Sequence, residues 1–149
     1  GVAPAPIAEK IGLMNDLLYI CAPRPLQHAA LAAFEDLDSD YVAQLQADYA
    51  ERRELLCKTL EAIGFDVPWP DGAYYVLAHF GDLAGTQAGF ADDAAACDTL
   101  IEDAHIGSVT GRSFYHDPAD GQHELRLCFA KELPVLRRAC EQLRAAFGG

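Results

Sequence analysis

One short segment, ELRLCFA at residues 124–130, limits the possible folds of this chain more than any other. Leu125, Leu127 and Phe129 alternate with a second set of residues that includes Arg126, and such alternation predicts a β-strand with two different faces. One face is typical of a hydrophobic core. The other places a permanent cation in the middle of a short strand, so this arginine needs a partner or a ligand.

Helical and strand-like segments alternate along the rest of the chain. Apolar residues at helical spacing predict helices at residues 7–20, from residue 26, at 41–63, at 92–104 and at 133–147. Aromatic and β-branched residues predict a strand at 73–80, and a short strand is expected within 106–111. This order predicts an α+β fold of two layers, with helices packed on a small mixed or antiparallel sheet.

Residues 1–36 fit this two-layer pattern less well than residues 37–149. We therefore interpret them as the end of another domain and place a domain boundary between residues 36 and 37. The sequence starts without Met and in the middle of a pattern, which predicts a fragment or a processed chain.

Charge and composition exclude several classes of function. The net charge is −12 and no basic stripe occurs, which argues against nucleic-acid binding. No apolar run is long enough for a membrane span. Five scattered cysteines, none in a C-x-x-C pair, predict buried free thiols in a cytoplasmic protein rather than a disulfide framework or a zinc site. They are Cys21, Cys57, Cys97, Cys128 and Cys140.

Arg126 is the main candidate for chemistry. A guanidinium offers a planar fork that matches a carboxylate, so Arg126 either pairs with an internal acid such as Glu124 or receives an anionic ligand. His116 and His123 flank an acidic loop, but their spacing matches no metal site and predicts solvated loop residues. No nucleophile elbow or phosphate-binding loop is present.

Two further arginines, Arg52 and Arg53, occur on the long predicted helix. Glu51 and Glu54 flank them directly in the sequence. We expect surface ion pairs among these four residues and no role in chemistry.

Three segments in order resemble the carboxyl-terminal part of the class I and II aminotransferases, the aspartate-aminotransferase-like branch of fold-type I enzymes. They are DGAYYVL at residues 71–77, IGSVTGRSFY at 106–115 and HELRLCFAKELPVLRRACEQL at 123–143. Two helical segments, PLQHAALAAF and YAERRELLCKTLEAIGF, are similar to the helices between the two domains of that family. The resemblance spans essentially the whole chain.

The resemblance implies roles for four residues. Arg126 occupies the position of the arginine that binds the α-carboxylate of the substrate, Gly72 and Gly111 are backbone-shape positions near the site, and Tyr74 lines the pocket. It also implies that residues 1–36 end a large cofactor-binding domain and that 37–149 form the small domain. The parent enzyme would be a pyridoxal 5'-phosphate-dependent homodimer that exchanges an amino group between an amino acid and a 2-oxo acid.

The chain departs from the family pattern at two points. Thr110 replaces the usual proline before Gly111. The lysine that forms the Schiff base with the cofactor matches none of Lys10, Lys58 and Lys131, so the resemblance implies that it lies upstream, with the main cofactor ligands. No catalytic residue is therefore assigned to this chain, its own cofactor-binding residues stay unassigned, and the chain alone is expected to be inactive.

Three alternatives stay open. The first is another fold-type I activity, such as a C–S lyase, which would use the same arginine. The second is a non-catalytic binding or dimerisation module that kept the small-domain fold. The third is an α+β domain in which Arg126 pairs only with an internal acid. In each case the apolar surface of residues 7–35 would need a cover, from a missing domain or a second chain.

Overall fold

The computed structural model describes residues 3–36 and 39–148, which divide into two compact units, residues 1–43 and 44–149. The predicted domain boundary between residues 36 and 37 adjoins residues 37 and 38, which lie outside the described residues. The assignment of residues 1–36 to a second domain therefore stays a prediction.

The first unit contains two helices, α1 at Ala5–Tyr19 and α2 at Arg24–Asp36. Each helix has a proline in its first turn. Proline is tolerated there because the N–H that it lacks would have no partner within the helix. Helix α1 buries none of its residues. The large apolar side chains of this unit are exposed, including Leu17 at 74% and Phe34 at 90%.

The second unit is built on a three-stranded sheet. Its strands are β1 at Tyr75–His79, β2 at Val109–Thr110 and β3 at Glu124–Cys128, in the order β1–β3–β2. Both pairings are antiparallel, which confirms the α+β class and settles the sheet as antiparallel rather than mixed. Strand β1 begins later than the predicted residue 73 because Ala73 has a φ of 60°, a left-handed conformation that interrupts extended backbone.

Three further helices lie wholly or mostly in the second unit: α3 at Ser39–Ala62, whose first five residues belong to the first unit, α4 at Asp93–Ala104 and α5 at Leu133–Phe147. Helix α5 lies beside α3, where Arg144 Nη2 donates to Thr59 Oγ1 at 2.7 Å. Leu125 and Leu127 of β3 are buried with side chains of all three helices in one core. Each such leucine contributes about 1.5–3 kcal/mol of hydrophobic free energy, so the inner face of β3 is a major stabilising element.

Two details of the sheet edge position the site. Asp92 caps α4, its side chain accepting the backbone N–H of Ala95 at 2.9 Å, so the next residue, Asp93, falls in the first helical turn. The segment predicted as a loop after β2 forms two short 3₁₀ turns, Gly111–Phe114 and Pro118–Gly121. The first turn leads out of β2, and the second leads back towards β3.

The cysteine prediction is confirmed for Cys57, Cys97 and Cys140, which are buried and free, whereas Cys21 is exposed and Cys128 is half-buried. No group of residues suited to a metal ion occurs in the part of the chain that the structure describes. A separate property concerns membranes: none of the helices in the described ranges has the length and apolar character that crossing one requires.

The predicted ion pairs of Arg52 and Arg53 with their sequence neighbours are wrong. Arg52 pairs with Asp48, one turn earlier, at 3.8 Å. Arg53 Nη1 donates to the carbonyl of Pro70 at 2.8 Å. Adjacent residues on a helix point in different directions. Each of these side chains therefore pairs with a residue one turn away or with another part of the chain. Accordingly, Glu51 pairs with Arg137 and Glu54 with Lys58.

Candidate functional site

The candidate site lies on the face of the sheet opposite the core. Side chains alternate along β3, so the burial of Leu125 and Leu127 on one face places Arg126 on the other. In the antiparallel register Arg126 stands opposite Leu77 of β1 and Val109 of β2. Residues opposite one another share a face, and Arg126 is therefore flanked on both sides by half-buried or exposed apolar residues.

Two aromatic rings contact the guanidinium of Arg126. Its Cζ lies 4.1 Å from the ring centroid of Tyr75 and 5.0 Å from that of Phe114. A cation over an aromatic face gains about 0.5–2 kcal/mol, depending on how far it is removed from water. The rings restrict the guanidinium without using its N–H donors, so the hydrogen-bonding fork stays available.

No carboxylate pairs with Arg126 within residues 3–36 and 39–148, and no hydrogen bond to its guanidinium is present there. The alternative partner, Glu124, lies on the same face, and its Oε2 is buried without a hydrogen-bond partner. A hydrogen bond with the Glu124 carboxylate raises the pKa of the Tyr115 hydroxyl. Glu124 thus interacts with the loop and leaves Arg126 uncompensated.

Tyr74 lies next to this arrangement. Its ring centroid is 4.3 Å from that of Tyr75, and the side chain is 42% exposed. A hydrogen bond with Tyr74 raises the pKa of the Tyr75 hydroxyl, and burial raises it further, while the positive charge of Arg126 acts in the opposite direction. Tyr74 therefore contacts the ring that lies on Arg126, and its role in lining a pocket stays a prediction.

The two glycines differ in their surroundings. A Cβ on Gly111 would lie 2.5 Å from the carbonyl oxygen of Gly121, so only glycine permits this close approach of two backbones. A Cβ on Gly72 would meet no atom within 4 Å. Gly72 lies in the wall of an open pocket of about 410 Å³ between α3 and the segment before β1. The structure gives a steric reason for glycine at position 111 and none at position 72.

One charged cluster beside the site was missed by sequence reasoning. Asp93, fully buried, accepts hydrogen bonds from the Arg112 backbone N–H at 3.1 Å and from Arg112 Nε at 2.6 Å. Arg112 Nη2 also contacts Asp93 Oδ1, and it lies 3.2 Å from Asp92 Oδ2. The double aspartate before a helix signals a capping position, but nothing in the sequence connects it with an arginine in a later loop.

The pKa values of this cluster follow from its contacts. Burial raises the pKa of Asp93, but hydrogen bonds and charge from Arg112 together outweigh it, and the net pKa is lowered. The same interactions raise the pKa of Arg112. Asp93 and Arg112 therefore form an ionised pair at neutral pH, and Arg112 is not available to a ligand as Arg126 is.

The three lysines of the chain are all exposed. They are Lys10, Lys131 and Lys58, which pairs with Glu54. Arg112, a second arginine close to the sheet, is held by two aspartates. Arg126 is therefore the guanidinium on this sheet face whose donors are unused among the described residues, and its chemistry suits a carboxylate.

Comparison with known proteins supports one family. A family model described as aminotransferase class I and II matches residues 1–143. An aspartate/prephenate aminotransferase from Cereibacter sphaeroides is 31% identical over 156 residues, covering 100% of this chain and 38% of the relative. A methionine aminotransferase from Escherichia coli is 28% identical over 144 residues, covering 96% of this chain and 35% of the relative.

Solved structures show the same likeness. The Escherichia coli protein whose structure and reactivity identified a methionine aminotransferase function matches with a TM-score of 0.75 at 28% identity, over 97% of this chain and 36% of that one. An aminotransferase from Mycobacterium tuberculosis matches with a TM-score of 0.74 at 27% identity, over 97% of this chain and 36% of that one.

The chain thus spans little more than a third of the length of the relatives it matches, 38% and 35% for the two curated ones. The match of the family model extends over nearly all of the chain, through both units and through the strand that carries Arg126. The chain therefore belongs to the class I and II aminotransferases, a family of pyridoxal-phosphate-dependent enzymes.

Proposed function

We propose that this chain is the carboxyl-terminal portion of a pyridoxal-phosphate-dependent aminotransferase, and that Arg126 binds the α-carboxylate of its substrates. The parent enzyme would move an amino group between an amino acid and a 2-oxo acid. The observation that carries the proposal is a half-buried arginine, between two aromatic rings, that has no carboxylate partner in the described ranges.

The environment of Arg126 supports binding of a carboxylate over pairing with an internal acid. A half-buried cation without an anion is costly, and an arriving carboxylate would offset that cost with two parallel hydrogen bonds. The rings of Tyr75 and Phe114 restrict the guanidinium before the ligand arrives, which lowers the entropy lost on binding. Both an amino acid and a 2-oxo acid carry such a carboxylate, so one arginine serves both substrates.

The remaining parts of the active site would come from residues outside this chain. All three lysines of this chain are exposed, and Lys58 pairs with Glu54. No residue of the chain is assigned to the cofactor. We propose that the lysine and the main cofactor ligands precede this segment in the parent enzyme, and that the chain alone has no transaminase activity. Its contribution is to bind and orient the substrate carboxylate.

Substrate identity is proposed only at the level of class. The matched relatives are named for aspartate, prephenate and methionine, whose side chains differ in charge and size. The carboxylate-binding part of the site contacts the group that all amino acids share. We therefore propose amino acids and 2-oxo acids as substrates, with the side-chain preference decided by other parts of the enzyme.

We also propose a homodimer in the cytoplasm. Large apolar side chains of α1 and α2 are exposed, and a second subunit or the rest of the enzyme would cover them. All five cysteines are free, one of them exposed, which suits a reducing compartment.

The test uses the parent enzyme that contains this chain, with Arg126→Lys compared with Arg137→Lys. Arg137 of α5 forms an exposed ion pair with Glu51 of α3 at 3.1 Å, and it serves as the matched control. We expect Arg126→Lys to raise KM for both the amino acid and the 2-oxo acid, because a lysine cannot form the bidentate contact. Arg137→Lys should leave KM unchanged.

Three outcomes would contradict the proposal. An Arg126→Lys enzyme with unchanged KM for both substrates would remove the carboxylate role. Product analysis distinguishes the reaction class: release of ammonia and a thiol, without amination of the 2-oxo acid, would indicate a C–S lyase. Transaminase activity in the purified 149-residue chain would contradict the expected position of the lysine.

A further inference from the structure

We propose that Asp93 is a positioning residue for the carboxylate-binding arginine: through Arg112 it fixes the turn at residues 111–114, and this turn holds Phe114 against Arg126. The inference rests on the proposed function only for the identity of what Arg126 binds. The chain of contacts that leads from Asp93 to Arg126 is a property of the fold and can be tested without an activity assay.

The first link joins α4 to the turn. Asp93 Oδ2 accepts the backbone N–H of Arg112 at 3.1 Å, and Oδ1 accepts the side-chain Nε of the same residue at 2.6 Å. A carboxylate that holds both the backbone and the side chain of one residue restricts the path of the chain there, and not only a rotamer. Asp93 is 0% exposed, so water does not compete for these hydrogen bonds.

The second link joins the two ends of the loop. The backbone N–H of Asp93 donates to the carbonyl of Gln122 at 2.7 Å, just before β3. Gly111 and Gly121 approach so closely that a Cβ on Gly111 would lie 2.5 Å from the Gly121 oxygen. Asp93 therefore contacts the loop where it leaves β2 and where it re-enters the sheet at the strand of Arg126.

The third link is Phe114, the last residue of the turn. Its side chain is 46% exposed, so packing in the core does not determine where the ring lies. The ring nevertheless sits 5.0 Å from Cζ of Arg126. Tyr75, the other ring on Arg126, is held by β1 through its pairing with Cys128. Of the two rings, only Phe114 depends on the turn that Asp93 fixes.

A purely structural role would not require a carboxylate. Buried ion pairs can often be replaced by apolar residues with little loss of stability, so stability alone is a weak reason for Asp93 and Arg112. What an apolar residue cannot do is hold the backbone N–H and the guanidinium of Arg112 in one arrangement. The expected consequence of losing Asp93 is therefore a displaced Phe114, beyond any change in stability.

The test measures the Nε–H resonance of Arg126 by NMR in the full 149-residue chain, since ring currents from Tyr75 and Phe114 shift it. Phe114→Leu defines the resonance without the Phe114 ring. We expect Asp93→Asn to move the resonance most of the way to that position. Asp92→Asn is the matched control, because it alters an exposed contact to the same arginine and asparagine keeps the helix cap. It should leave the resonance in place.

A folded Asp93→Asn chain with the wild-type Arg126 resonance would overturn the proposal. If Asp93→Asn does not fold, Arg112→Lys decides the question, since it keeps a cation for Asp93 but loses the Nε contact. A shift towards the Phe114→Leu position supports the proposal, and an unshifted resonance overturns it.

A double-mutant cycle in the parent enzyme connects the positioning to substrate binding. We expect Asp93→Asn to raise KM for both substrates by about tenfold, and the same change to have little effect when Phe114 is already leucine. Equal effects in both backgrounds would overturn the route through Phe114. If the NMR shift occurs but Arg126→Lys leaves KM unchanged, the positioning stands and the carboxylate role of Arg126 fails, so the two proposals are separable.

Discussion

Arg112 lies in the turn whose Phe114 contacts Arg126, and the two arginines differ in almost every contact. Arg112 is held by two carboxylates, one of them fully buried, and its hydrogen-bonding capacity is largely used inside the fold. Arg126 contacts two aromatic rings and, within the described residues, no carboxylate. A cation that is neutralised internally stabilises structure, whereas one restricted by rings and left unneutralised is suited to a ligand.

The largest expected effect separates the two arginines by activity. Arg126→Met in the parent enzyme should lower kcat/KM roughly 30- to 4000-fold, the loss that about 2–5 kcal/mol of a charge-paired contact implies. Its melting temperature should stay close to wild type, because no internal ion pair is lost. Steady-state kinetics and thermal unfolding on one preparation measure both quantities. A large loss of stability with unchanged kcat/KM would instead indicate an internal partner.

The second prediction concerns the free energy of unfolding, and it tests the ion pair of Arg112 rather than Arg126. Asp93→Asn should lower the free energy of unfolding by about 2–3 kcal/mol, since a buried group loses its charge while Arg112 keeps its own. Arg112 is 41% exposed, which places the expected loss below that of a fully buried pair. Urea unfolding of the two chains gives the difference. A loss as small as that of Asp92→Asn would show that the burial of Asp93 carries no extra energy.

The third prediction compares two glycines that the family resemblance treats alike. Gly111→Ala should destabilise the chain by about 1–3 kcal/mol, because its Cβ would overlap the Gly121 carbonyl. Gly72→Ala is the matched control and should change stability little, as its Cβ would meet open space. The denaturant midpoints of the two variants measure this difference in stability. Equal effects would contradict the close approach at Gly111.

The smallest expected effect is a dependence on pH. The contacts with Arg112 hold the pKa of Asp93 below the usual value of an aspartate. The stabilising contribution of Asp93 is therefore fully present above that usual value and is lost as the pH falls through the folded-state pKa. We expect the stability of the wild-type chain to decrease below about pH 4 more steeply than that of Asp93→Asn. Parallel slopes in unfolding experiments at several acidic pH values would contradict an ionised Asp93 in the folded state.

Much of the fold could be predicted from local pattern. The alternation in residues 124–130 predicted the strand, its buried face and the position of Arg126, and helical spacing predicted α3, α4 and α5. These signals lie within a few residues of one another, and the periodicity of side chains on a strand or helix is a direct consequence of backbone geometry. The shared order of three motifs was enough to indicate the family.

The site itself depended on contacts between distant parts of the chain. Tyr75 and Phe114 meet Arg126 only because β1 pairs with β3 and the turn after β2 folds back over the sheet. The ion pairs of Arg52 and Arg53 were predicted from sequence neighbours and were wrong, because helical geometry turns adjacent side chains apart.

The sequence by itself determined which residues could be buried, where the strands and helices form, and that a permanent cation stands on the outer face of β3. Only the tertiary structure decided which cation is neutralised and which is free. No pattern in the sequence links Asp93 with Arg112, although the two pair in the structure. Electrostatic pairing depends on distance in space and on burial, and the packing of the whole unit sets both.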